Sequence, residues 1–181
     1  MKNVFSTLFL TLISISISFA QTAYITNVGD GTVSVVNTST NTITGTIVVG
    51  DSPYGICVSP DGSKVYVPNY SSNIVSVINT STNTVTANIT VGNNPTGICI
   101  SPDGSKLYVA NYNGSSVSVV NANNNTVTST ITVGNTPRGL DLSPDGTKLY
   151  VANHNSNTIS VINTTNNTVT ATIAGGAKPF V

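Results

Sequence analysis

Few side chains in this sequence can do acid–base, metal or redox chemistry, and most of them recur at a fixed spacing. There are two cysteines, one histidine and six acidic residues, all aspartate, among 181 residues. Cys57 and Cys99 stand 42 residues apart, and Asp141 holds the next place in that series. Two thiols in an oxidising compartment invite a disulfide. Equivalent side chains on neighbouring repeats run parallel, however, which opposes the geometry a bridge requires, so both are expected as small packed residues of innermost strands. The histidine, His154, sits between Asn153 and Asn155 where the other repeats carry Tyr70 and Tyr112. Metal binding or proton transfer would need partners, and the chain has neither glutamate nor a second histidine. The expectation is a non-enzyme with no catalytic constellation, no metal site and no cofactor. Asp61, Asp103 and Asp145 belong to the three Ser-Pro-Asp-Gly stretches and are read as turn residues.

The more informative residues are those that vary between repeats on one face. Tyr54, Thr96, Arg138 and Phe180 share one place in the repeat, and Tyr70, Tyr112 and His154 share another. If the strands of a repeat alternate in direction, the loops bearing both sets open on the same side. Tyr54, Tyr70, Tyr112, Arg138 and His154 are therefore the candidate ligand-binding residues, since loops on a rigid scaffold commonly carry function. The partner class expected there is a protein or a glycan.

The elements that must position them follow from the repeat. Ser-Pro-Asp-Gly recurs at 59–62, 101–104 and 143–146, and Tyr24, Tyr66, Tyr108 and Tyr150 keep the same 42-residue spacing. So do Asn27, Asn69, Asn111 and Asn153, and Pro53, Pro95, Pro137 and Pro179. Within 95–136, strands are expected over Thr96–Ser101, Lys106–Ala110, Val117–Asn121 and Thr126–Val133. In the equivalent last strand of the preceding repeat, Val85, Ala87, Ile89 and Val91 alternate with Thr84, Thr86, Asn88 and Thr90, which predicts one buried and one solvated face. A four-stranded antiparallel unit repeating at this length is a β-propeller blade, so the fold class is all-β. Its rival is a β-solenoid in which Thr-x-Thr runs form flat ladders that bind glycan or ice.

Residues 1–20 join a basic start at Lys2 to an apolar stretch ending at Ala20, and read as a secretory signal peptide. The remaining residues, 21–181, are expected outside the cytoplasm as a secreted, periplasmic or cell-surface protein, with no membrane span once the leader is cleaved. Charged residues are 7% of the chain and the formal net charge is zero. Such a balance offers no electrostatic footprint for nucleic acid.

The stretch "SKLYVANYNGSSVSVVNANNNTVTSTITVGNTPRGLDLSPDGTKLYVANHNSNTISVIN" resembles the YVTN-family β-propeller repeat, and the likeness runs over residues 22–181. The resemblance implies an exported propeller of seven-bladed type, of a kind found in bacterial and archaeal surface proteins. Related propellers include lactonase-like enzymes and haem-bearing domains, so the fold alone does not choose a function. The departure is the count, which is about four blades. Residues 22–52 supply a partial blade, 53–94, 95–136 and 137–178 supply whole ones, and 179–181 begin a further strand. Three explanations stand: a piece of a longer chain whose missing blades complete the ring, self-association that completes it, or a strained four-bladed closure. The functional expectation is a non-catalytic surface binding or scaffold module. The alternatives are part of a lactonase-like or redox propeller enzyme, and the threonine-ladder array.

Overall fold

Among the described residues, the turns between paired strands each hold a residue at positive φ, most often asparagine or glycine. Asn41, Asn83, Asn125 and Asn167 adopt φ between 53° and 59°. Just before them, the side chains of Asn37, Asn79, Asn121 and Asn163 accept hydrogen bonds from backbone N–H groups two or three residues ahead. Asparagine is suited to both tasks, because its short amide mimics a turn of backbone and eases the left-handed conformation. At the Ser-Pro-Asp-Gly turns the left-handed residue is glycine, with φ of 69–73° at Gly62, Gly104 and Gly146.

The computed structural model describes residues 21–180; the leader read over residues 1–20 and the last residue, Val181, lie outside them. Four antiparallel sheets follow one another along the chain. The first holds β1 (Thr22–Asn27), β2 (Thr32–Asn37) and β3 (Thr42–Val48). The second holds β4 (Cys57–Val58), β5 (Lys64–Asn69), β6 (Ile74–Asn79) and β7 (Thr84–Thr90). The third holds β8 (Pro95–Ile100), β9 (Lys106–Asn111), β10 (Ser116–Asn121) and β11 (Thr126–Thr132). The fourth holds β12 (Pro137–Leu142), β13 (Lys148–Asn153), β14 (Thr158–Asn163) and β15 (Thr168–Ala174). Within each sheet, strands pair in sequence order, so these are the blades of a partial propeller and not the coils of a solenoid. Among the described residues, no helix is long and apolar enough to cross a membrane.

Hydrophobic cores lie between the sheets. Val33, Val35 and Ile47 of the first pack on Val65, Val67 and Ile78 of the second. Tyr66, Val75, Val77 and Ile89 of the second pack on Ile98, Leu107, Val109 and Val120 of the third. Tyr108, Val117, Val119 and Ile131 of the third pack on Leu140, Leu149, Val151 and Ile162 of the fourth. An inner sheet therefore buries both faces, which explains why its middle strands read as near-continuous apolar runs.

The outermost strands depart from the simple alternation expected of them. Val77 pairs with Ala87 but Ile78 pairs with Val85, so Thr86 is the extra residue of a β-bulge. The bulge turns Val85 to the opposite face from Ala87, Ile89 and Val91: it packs with the first core, while they pack with the second. Each sheet repeats the device. The bulged threonines Thr44, Thr86, Thr128 and Thr170 each donate their hydroxyl to a carbonyl of the neighbouring strand, at 3.2–3.3 Å. These threonines serve the blade's own backbone and do not form a flat ladder.

Two other departures concern strand ends. The innermost strand of the second sheet is shortened to β4, with Pro53 joined to Asn69 by an isolated bridge. Pro179 and Phe180, expected to open a further strand, lie outside regular structure.

The shared Val-Gly and Ala/Pro-Asn positions lock one blade to the next. A Cβ on Gly92 would stand 2.5 Å from the Cγ of Asn111, and Gly50 and Gly134 meet Asn69 and Asn153 almost as closely. Those asparagines are fully buried, and their amide nitrogens donate to Ser76, Ser118 and Ser160 at 2.9–3.0 Å.

Candidate functional site

The candidate site is built where consecutive blades begin. The segments that open the second, third and fourth sheets run so close together that only glycine fits between them. The N–H of Gly55 donates to the Thr96 carbonyl at 3.1 Å, and a Cβ on Gly55 would stand 2.5 Å from that oxygen. One repeat later a Cβ on Gly97 would stand 2.4 Å from the Arg138 carbonyl. The Thr96 hydroxyl donates to the same carbonyl at 3.0 Å, stitching the third blade to the fourth.

A second set of residues follows the next strand of each blade. The N–H groups of Tyr70, Tyr112 and His154 donate to the carbonyls of Ser52, Asn94 and Thr136 at 2.9–3.1 Å. These bonds bring the two variable sets onto one face of the disc, as the alternating strand directions require.

The result is a groove of about 230 Å³ lined by Tyr54, Tyr70, Tyr112, Arg138 and Phe180 over a floor of Gly55, Gly97, Gly139 and Thr96. The rings run in sequence. Tyr54 and Tyr70 have centroids 5.6 Å apart at 42°, and Tyr70 and Tyr112 are 6.0 Å apart at 58°. The Arg138 guanidinium closes the row, 5.2 Å from the Tyr112 centroid and 5.5 Å from that of Phe180. Its Nε is buried and finds no hydrogen-bond partner among the described residues. Among the described residues, no carboxylate lines the groove. The arrangement offers ring faces for stacking and one cation held by cation–π contacts rather than by an acid.

Four of the five candidate residues, Tyr54, Tyr70, Tyr112 and Arg138, thus come together. His154 does not line the groove; it is half-buried in its loop with Nδ1 3.0 Å from the Asn155 side-chain oxygen. The floor glycines were not singled out in the sequence, although Pro-Tyr-Gly, Pro-Thr-Gly and Pro-Arg-Gly at the starts of the repeats mark them.

The remaining reactive groups lie elsewhere. Cys57 and Cys99 are free and packed against successive inter-blade cores. Burial pushes the Cys57 thiol up to about 12. Burial also raises Cys99, helped by the negative character of Cys57 and Asp141 nearby. Asp61, Asp103 and Asp145 accept bonds of 2.5 Å from Ser59, Ser101 and Ser143, and further bonds from the N–H groups of Ser63, Ser105 and Thr147. These bonds hold the three carboxyls down at about 2. Among the described residues, no three His, Cys, Asp or Glu side chains stand together as a metal-binding group.

Residues 80–175 match the family described as lactonase, 7-bladed beta-propeller, and residues 3–113 match the YNCE-like beta-propeller family. Among solved structures, hydrazine synthase of Kuenenia stuttgartiensis is similar with a TM-score of 0.80 and 30% identity, over 84% of this chain. The chain spans 45% of that structure's length. A curated relative, the PE-PGRS family protein PE_PGRS18 of Mycobacterium tuberculosis, is 54% identical over 37 residues, 20% of this chain and 8% of that protein. With blade order, inter-blade cores and both family matches in agreement, the chain belongs to the lactonase-type and YNCE-like β-propellers.

Proposed function

We propose that this chain is an exported, non-catalytic binding module whose ligand seat is the tyrosine–arginine groove, and that the ligand is a carboxylate-bearing sugar of an acidic glycan. The observation that supports this is the row Tyr54–Tyr70–Tyr112–Arg138, in which tilted tyrosine rings lead to a guanidinium with no carboxylate among the described lining residues. Tyrosine rings pack on the C–H face of a sugar, and a guanidinium pairs with a carboxylate through directed, charge-assisted bonds. The Arg138 guanidinium, which lines the groove, is the donor such a carboxylate would meet. Calorimetric titration with oligogalacturonate and with its neutral methyl ester tests the reading. Binding of the acid form alone, weakened roughly 10- to 150-fold by Arg138→Ala, is the expected result; equal binding of both forms, or of neither, refutes it.

The family match over residues 80–175 favours a second reading, hydrolysis of a lactone at the same groove. Incubation of the purified chain with a panel of sugar lactones decides between the two. Turnover lost in Arg138→Ala would replace the binding role with an enzymatic one.

A further inference from the structure

The two outer faces of the blade stack are halves of an interface that the chain already makes internally. Tyr108 and Ile131 of the third sheet are 0% and 6% exposed, because the fourth sheet covers them. Their equivalents one repeat later, Tyr150 and Ile173, are 39% and 47% exposed on the outer face of the fourth. At the other end, Val67 and Val109 are fully buried against the preceding blade, whereas their equivalent Ile25 is 52% exposed on the first sheet.

Polar groups follow the same register. Lys64 Nζ donates to the Ala122 carbonyl of the next blade at 3.4 Å, and Lys106 Nζ to that of Thr164 at 3.0 Å. Lys148 is the next lysine of the series, and Thr38 occupies in the first sheet the place of Ala122 and Thr164. Backbone pairing agrees. Pro95 pairs with Asn111, Pro137 with Asn153 and Pro53 with Asn69. The next such pair is Pro179 with Asn27, on a strand, β1, that pairs only with β2 among the described residues.

We infer that the fourth sheet of one copy of this chain docks on the first sheet of a second copy, head to tail. In that contact Tyr150 and Ile173 are covered by Ile25 and its neighbours, Lys148 reaches the Thr38 carbonyl, and Pro179–Phe180 lies along β1. The occupant is a second copy because each copy carries both halves, matched residue by residue to interfaces that the chain itself forms. Such a contact is heterologous, so it closes only when the rotation per blade allows.

Light scattering on the full chain, as its expression host processes it, tests this with two variants, Ile25→Asp and Tyr150→Asp. Both residues are exposed in the single chain, so an unchanged far-ultraviolet circular dichroism spectrum confirms that each variant folds. The wild type is expected as a dimer or a longer head-to-tail oligomer, and each variant alone as a monomer. An equimolar mixture of the two variants is expected to recover a particle of two chains, because one retains an intact fourth sheet and the other an intact first sheet. A monomeric wild type, which would leave both faces for blades of a longer chain, overturns the inference. So does an association that the mixture fails to restore.

Discussion

The guanidinium carbon of Arg138 lies 5.2 Å from the ring centroid of Tyr112, and these two residues come from different blades. The contact exists because the third blade's second strand ends, and the fourth blade's first strand begins, on the same face. A cation–π contact of this exposed kind contributes about 0.5–1 kcal/mol, so Tyr112→Ala should weaken acidic-glycan binding roughly 2- to 5-fold. Arg138→Ala removes a charged hydrogen-bond donor worth about 1.5–3 kcal/mol, or roughly 10- to 150-fold in affinity. Calorimetry with oligogalacturonate gives both ratios, and Tyr112→Phe, which keeps the ring, should stay close to wild type.

Gly97 is the tightest point of the groove floor. A Cβ there meets the Arg138 carbonyl at 2.4 Å, and that oxygen belongs to backbone already bonded by Thr96. Gly97→Ala should destabilise the chain by about 1–3 kcal/mol, the usual range for overpacking. Gly29→Ala, where nothing lies within 4 Å, is the control and should change little. Urea unfolding of the two variants makes the comparison.

The acid limb of stability should depend on the Ser-Pro-Asp-Gly turns. Their aspartates titrate at about 2 in the folded chain, below the value of about 3.9 for an unfolded aspartate. The folded state therefore gains stability from them above pH 4, and loses it as pH falls from about 4 toward 2. Ser101→Ala removes the 2.5 Å bond to Asp103, so its carboxyl should titrate closer to the unfolded value; the variant should be less stable above pH 4 and lose less on acidification. Thermal unfolding followed between pH 2 and pH 6 reads the shift.

The thiols should be inert in the native chain. With Cys57 held up at about 12 by burial, its thiolate is scarce at any pH where the protein is handled. Iodoacetamide labelling should stay slow from pH 7 to pH 10, without the levelling-off above about 8.5 that an exposed thiol shows. Unfolding in urea should release both cysteines at once, and mass spectrometry counts the adducts.

Much of this fold could be read from the sequence because the repeat expresses it several times. The four strands of blade 95–136 fall within one residue of the expected bounds at every end, since Ser-Pro-Asp-Gly and the asparagine turns fix where the chain reverses. The bulge at Thr86 was not legible. A β-bulge inserts a residue without altering the apolar/polar alternation, and only pairing with Val77 and Ile78 shows that Val85 faces the other blade. At the site, the variable positions pointed to Tyr54, Tyr70, Tyr112 and Arg138 because period and strand direction together set the face. His154 shares that period but not the groove, since the place of a side chain in a loop depends on rotamer and neighbours that spacing does not encode. The floor glycines were visible only as part of a recurring triplet, and their reason is a contact between blades far apart in sequence.

Ring-labelled tyrosine NMR during titration with oligogalacturonate tests the binding seat most directly. The chain has seven tyrosines, and three of them, Tyr54, Tyr70 and Tyr112, line the groove. The account predicts shifts confined to those three resonances, lost in Arg138→Ala. Shifts at Tyr24, Tyr66, Tyr108 or Tyr150 with none in the groove, or no shift at saturating ligand, would contradict it.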